Sequence, residues 1–401
     1  MIGTPGFVGA RLTQARQARA LTSVALADLL DVESPSISNY EHGRQTPSPE
    51  VMDKIVDLLH QPYNYFLRPI GANHEEDIWW RSMSSATKLA RSRAFARHTW
   101  LREIISYLGE YLNFPSVNIP AFNLPADIRE ITSDSIEEIA LECRRHWKLG
   151  IAPVADIVLL LENNGVIISR GELGAETLDA YSQRPEDSEN PIIFLGAGKA
   201  SAVRSRHDAS HELGHLILHR HVKASEMKNP AQFRLIEDQA HRFAAAFNLP
   251  AQGFAEQLWA PTMDAFLALK PHWKVSIGAM IVRCGQLGIL NEVQHKRAWI
   301  NMNRKGWRSF EPLDDRLIPE QPRLLRRSFE LLVNEGIKTP EQIISDLCLN
   351  PRDVESLACL NPGYLSGEPD QVAVPQLRKD VMLKTGTGNL INFSQHRRPE
   401  I

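Results

Sequence analysis

Apolar residues in this chain recur mainly three and four positions apart, the spacing of amphipathic helices, with only a few short runs suited to strands. Over Phe7–Arg19, Val8, Leu12 and Ala15 hold one face while Arg11, Arg16 and Arg19 take others. Thr22 or Ser23 can cap a second helix, Val24–Leu30, and a turn at Asp31–Glu33 follows. Ser34 as N-cap and Pro35 in the first turn open a third, polar helix. Gly43 and a turn through Pro47–Pro49 lead to a fourth, Glu50–Leu59. From Arg81 to Arg102 there are six basic residues and no acidic one, flanked by Trp79, Trp80 and Trp100. This predicts a linker helix with one solvated face or, equally, extra phosphate contacts. Asn113–Pro125 lacks periodicity and reads as a hinge.

Helical spacing returns at Ile136, Ile139, Ala140, Cys143 and Trp147, and Pro153 opens another helix through Val154, Ile157, Leu160 and Leu161. Gly165–Ile168, Asp179–Ser182 and Ile192–Leu195 read as strands, and Gly196–Gly198 as a turn. The strand beside the next helix is expected at an edge, open to an extended peptide. Two helical runs follow. In one, Ala209, Leu213, Leu216 and Ile217 are the apolar stripe; in the other, Ala240, Phe243, Ala244 and Phe247, with Pro250 ending it. The remainder is helical to about residue 365, and past Gly367 falling apolar density predicts a disordered tail. The expected fold is mainly α with a small β-sheet (α+β).

Composition narrows the class. A chain of 401 residues with 43% hydrophobic and 23% charged residues suits two or three soluble globular domains. A net charge of −3 gives no global attraction to nucleic acid, so any DNA contact must be local. Cys143, Cys284, Cys348 and Cys359 form no CxxC pair and read as reduced core residues. With no signal core and no apolar run of membrane length, a cytoplasmic location without membrane contact is expected.

The candidate chemistry sits in Ser210–His219, which contains His-Glu-x-x-His. Residues four apart in a helix lie one above the other, so His211 and His215 can share one metal ion. Glu212 reaches a water activated by that ion without being a ligand. Glu237 lies 22 residues past His215, enough chain for an antiparallel return, and supplies a third ligand. Two His and one Glu leave a fourth tetrahedral position open, the arrangement of a catalytic zinc, although other divalent metals accept the same set. His241, one turn after Glu237, is placed to brace a ligand. His207 precedes the helical pair by one turn and is a candidate to stabilise an oxyanion or simply a surface histidine. His219 extends the row, but three ligands along one straight helix span too much rise for one ion.

The N-terminal pattern of short helix, turn and short polar helix is helix-turn-helix grammar, in which the second helix enters the major groove. Ser34, Ser36, Ser38 and Asn39 present small hydrogen-bonding groups there. The stretch from Ser34 to Leu59 resembles the XRE, lambda-repressor-like family, a likeness that implies DNA contact by Ser36, Asn39 and Arg44. HELGHLILH followed by E-x-x-A-H-x-F-A-A-x-x-x-x-P resembles the ImmA/IrrE family of metallopeptidases, as do Pro191–Leu195 and Arg204–Asp208 upstream. The family commonly has Asn where this chain has His241.

On these likenesses the expected organisation is a helix-turn-helix domain at 1–70 and a basic helical linker at 71–130. A minimal zincin at 131–260, a helical C-terminal region at 261–366 and a disordered tail at 367–401 follow. They imply a DNA-binding regulatory zinc metallopeptidase of the stress-response kind, acting on a protein partner such as a repressor or antitoxin. The alternative is a transcriptional regulator whose zincin-like part senses a metal or ligand, or binds a partner, without catalysis. Homodimerisation stays open.

Overall fold

A computed structural model describes residues 3–70, 78–80, 87–172, 180–183, 190–197, 201–222, 226 and 229–367, with only the backbone of 78–80. The expected tail beyond 367 lies outside the described residues, as does Arg81. No helix among the described residues is long and apolar enough to cross a membrane.

Four short helices open the chain: α1 (Gly9–Ala18), α2 (Ser23–Leu30), α3 (Ser34–Glu41) and α4 (Pro49–Leu59). Their apolar stripes meet in one core through Leu12, Ala15, Leu26, Leu30, Ile37, Met52 and Ile55. Thr22 and Ser48 cap α2 and α4 by accepting from Ala25 N and Val51 N. The cap of α3 differs from expectation: Glu33 holds the N-cap position without a side-chain bond, and Ser34 and Pro35 are the first helical residues.

The basic stretch behaves unlike a solvated linker. Residues Lys88–Gly109 form α5, whose Ala94, Ala96, Trp100, Leu101, Ile104 and Leu108 are fully or almost fully buried. Lys88 is exposed, but Arg97 is buried and donates to Ser356 Oγ at 3.0 Å. Long basic side chains can lay aliphatic stems along apolar surface, which lets a basic sequence line a core. The helix-turn-helix is clamped to α5 at several points. Arg11, itself buried, donates to Glu103 at 2.7 Å, and Trp100 Nε1 donates to Tyr65 Oη, which donates to Gln14 Oε1. The expected hinge is also tied down: Asn118 N donates to Asn164 O at 3.0 Å, and Trp147 Nε1 donates to Asn118 O at 2.8 Å.

The sheet has four strands in the order β1-β3-β4-β2, from β1 (Ile78–Trp80), β2 (Ile167–Gly171), β3 (Ala180–Gln183) and β4 (Ile192–Gly196). β2 runs parallel to β4, whereas β3 is antiparallel to both β4 and β1. β1 was not foreseen, and through it β3 is an inner strand instead of an edge: Trp79 pairs with Ser182. Three aromatic and β-branched residues suffice to pair, though too few to show periodicity.

Alternation along the strands divides the interior. Ile192 and Phe194 of β4, Ile167 of β2 and Tyr181 of β3 face a rear core shared with α5, the opening helices and the C-terminal helices. Ile193, Leu195, Ile168 and Ala180 face a front core built by α6 (Ser133–His146), α7 (Ile157–Asn163), α8 (Ala202–Leu218) and α9 (Pro230–Asn248). Burial on both faces explains why β4 reads as an unbroken apolar run.

Beyond Pro250 the chain divides between two cores. Helices α10 (Ala251–Gln257), α11 (Met263–Trp273), α12 (Ile277–Gln286) and α13 (Glu292–Arg304) gather around Phe254, Phe266, Trp273 and Met280. Helices α14 (Leu324–Asn334), α15 (Pro340–Leu347) and α16 (Pro351–Leu357) join the rear core instead. Asp353 there accepts from Arg19 at 2.6 Å and from Gln61 at 2.6 Å, so the C-terminal helices grip the N-terminal domain directly.

Candidate metal centre

The front face of the sheet carries α8 and, across it, α9. Their closeness depends on Gly214: a Cβ there would stand 3.1 Å from Phe243 Cδ1 and 3.3 Å from Ala240 Cα, tighter than ordinary contact. Glycine in the middle of His-Glu-Leu-Gly-His therefore trades helix propensity for a close crossing. Asn229 caps α9 by accepting from Ala231 N and Gln232 N, with Pro230 at the first helical position.

That crossing brings the three expected ligand residues together. His211 Nε2 and His215 Nε2 are 3.0 Å apart, and the Glu237 carboxylate lies 3.4 Å from the first and 3.3 Å from the second. Donors around a tetrahedral ion with bonds of about 2.0–2.1 Å stand roughly 3.3–3.4 Å apart. Glu237 meets this spacing with Oε2 toward His211 and Oε1 toward His215, so its carboxylate can close on an ion through one oxygen or both. Both histidines are buried and Glu237 is 14% exposed. The centre thus has one side toward solvent.

A chain of hydrogen bonds sets the tautomer of His215. Gln239 gives its amide hydrogens to Ile128 O at 2.7 Å and Ile131 O at 3.2 Å, which turns its Oε1 toward His219 Nε2 at 3.0 Å. His219 Nε2–H therefore donates. Burial, with help from neighbouring His215, pushes the His219 pKa down to about 3, so the ring is neutral and its Nδ1 accepts. His215 Nδ1–H donates to it at 3.0 Å, which leaves a lone pair on the Nε2 that faces His211. His219 contacts His215 from behind; Gln239 was not anticipated, since nothing local in the sequence marks it.

Glu212 is fully buried, and Ser182 Oγ–H of β3 donates to its Oε2 at 2.6 Å. Ser182 was also missed. Its strand was foreseen, but its partner is 30 residues away. His241 stacks beside His207, with His207 Nε2 and His241 Nδ1 3.1 Å apart, and its ring centre is 4.4 Å from that of His211. Arg206 pairs with Glu320, which also accepts from Ile157 N at 2.8 Å and so ties α8 to α7.

On the N-terminal domain, Ser34 and Arg44 are exposed, whereas Ser36 and Asn39 are half-buried. Asn39 O accepts from Arg44 N at 2.9 Å, fixing the turn that carries Arg44 at the end of α3.

No curated protein sequence matches the chain. Two domain families do. Residues 161–284 match the IrrE N-terminal-like domain, a peptidase family, and span β2 to α12 including α8 and α9. Residues 8–62 match a helix-turn-helix domain that covers α1 to α4. The chain therefore joins a DNA-binding-type helix-turn-helix domain of the XRE kind to a metallopeptidase-like domain of the ImmA/IrrE kind.

Proposed function

We propose that this protein is a DNA-binding regulatory metallopeptidase that hydrolyses a peptide bond in a protein partner such as a repressor or antitoxin. The observation that carries this reading is the convergence of His211, His215 and the Glu237 carboxylate at 3.0–3.4 Å, with Glu212 next to His211 in the chain and buried. Zinc bound there would polarise a substrate carbonyl and bring the pKa of water toward neutrality. Glu212 takes the proton of the attacking water and returns it to the leaving amine. Ser182 holds the Glu212 carboxylate in one rotation, and the Gln239–His219 chain keeps the His215 lone pair aimed at the centre. The N-terminal domain would place Ser34, Ser36, Asn39 and Arg44 against DNA, locating the protein at an operator.

A second reading is a regulator that senses a metal or ligand without turnover. The observation favouring it is β1, which pairs along β3 where an extended peptide would otherwise add. One experiment decides between them. Metal-loaded protein and Glu212→Gln are incubated with the proteins encoded by neighbouring genes, and new termini are read by mass spectrometry. Cleavage by the wild type, reduced about 10²–10⁴-fold in the variant, supports the first reading. Equal cleavage by both removes Glu212 from the mechanism. No cleavage, with operator affinity that responds to metal, supports the second.

A further inference from the structure

The two metal-facing helices repeat their geometry one turn further along. The candidate centre consists of an i, i+4 histidine pair on α8, His211 and His215, with Glu237 of α9 opposite. Moving one turn toward the start of α8 gives the pair His207 and His211; moving one turn along α9 from Glu237 gives His241. Residues four apart lie one above the other on a helix, so antiparallel helices that match once match again at this interval. Donor atoms of His207, His211 and His241 indeed lie within 4.8 Å of one another, as do those of the first set. The ladder stops at the other end, where the residue one turn before Glu237 is Phe233, which has no donor.

We propose that His207, His211 and His241 form a second seat for a divalent transition-metal ion. Its two dedicated ligands are His207 Nε2 and His241 Nδ1, 3.1 Å apart, close to the separation of two donors on one ion. To hold the ion, both nitrogens present lone pairs, and the ring that now donates to the other takes its alternative tautomer. Three imidazoles and no carboxylate favour copper, nickel or zinc over magnesium, calcium or manganese. Both dedicated histidines are half-buried and line a cavity of about 490 Å³ that also touches Arg204, Asn248 and Trp299. That cavity supplies the route in and the space for water to complete the shell. His211 is common to both seats, and a neutral imidazole has one lone pair to give; with the first seat filled, the second ion rests on His207, His241 and water and binds more weakly.

The inference needs only the placement of these histidines and does not depend on Glu212 acting as a base. The test is zinc uptake by the full chain, followed by calorimetry and by metal analysis after dialysis, in wild type, His241→Asn, Glu237→Gln and Glu237→Gln/His241→Asn. Wild type is expected to take up a tight ion and then a weaker one, and His241→Asn the tight ion alone. Glu237→Gln is expected to keep an ion that the double variant binds about ten-fold or more weakly. Copper(II) in Glu237→Gln should show the magnetic-resonance signature of three imidazole nitrogens, reduced by one in Glu237→Gln/His207→Gln. Identical stoichiometry and affinity in wild type and His241→Asn would overturn the second seat, even if the Glu237 variants fail to fold. Loss of the tight phase in Glu237→Gln tests the first seat separately.

Discussion

Two groups of buried histidine lie on opposite sides of one thin sheet, and they are satisfied in different ways. Behind the sheet, His98 of α5 has a neutral partner at each nitrogen: Tyr181 Oη at 3.2 Å and Gln183 Oε1 at 2.5 Å. Burial lowers its pKa to about 4, and the ring is complete as it stands. In front, the Nε2 atoms of His211 and His215 point at each other across 3.0 Å with a carboxylate beside them. The His215 lone pair and a carboxylate converge there, a set suited to a cation. Burial of histidine is common to both places; the direction of the nitrogens separates a structural role from a ligand's.

The comparison can be broken most forcefully by exchanging roles. His211→Ala should weaken zinc binding by more than the roughly 10–100-fold typical of removing an outer partner. His98→Ala should leave zinc affinity unchanged and cost stability of about 1–3 kcal/mol, because Gln183 and Tyr181 lose their shared partner. Zinc titration and denaturant melts of the two variants read both numbers, and a loss of zinc in His98→Ala would erase the distinction.

A smaller effect is expected at the helix crossing. Gly214→Ala should move α9 away by a few tenths of an ångström and weaken zinc at the low end of roughly 10–100-fold, without unfolding the chain. Unchanged zinc affinity would show that the crossing tolerates a methyl group. Ser182→Ala should lower kcat about ten-fold, the worth of one hydrogen bond to a charged group, with KM and bound zinc unaltered. A change in KM instead would place Ser182 against substrate.

The mildest test is pH. His98 has an unfolded pKa near 6.5 and a folded one of about 4, so the unfolded chain takes up its proton first as pH falls. Stability from this group is full above about pH 6.5 and is lost progressively down to about pH 4. Melting temperatures across that window should fall by the slope of one fewer proton in His98→Gln than in wild type.

Much of the candidate metal face was legible in the sequence because its information is local. The His211–His215 spacing, the apolar stripes of α8 and α9 and the offset to Glu237 each follow from helical geometry. The rear of the molecule was not, and the reasons are physical. The burial of α5 is hidden by basic side chains whose stems pack while their heads find partners such as Ser356. β1 is too short to display a period, so the strand that covers β3 could not be foreseen. Ser182 and Gln239 act on residues far along the chain, and no spacing rule reaches them. The α3 cap shifted by one residue, the ordinary uncertainty of a helix end.

β3 is one strand thick, and its side chains alternate. Tyr181 and Gln183 point rearward to His98 on the helix that backs the DNA-binding-type domain, while Ser182 points forward to Glu212. The helix behind the N-terminal domain and the candidate metal centre thus rest on opposite surfaces of the same short strand. Thermodynamic reciprocity then applies: whatever factor operator occupancy imposes on zinc affinity, zinc must impose on operator affinity. Gel-shift titrations with and without metal would read a quantity that calorimetry with and without DNA must reproduce.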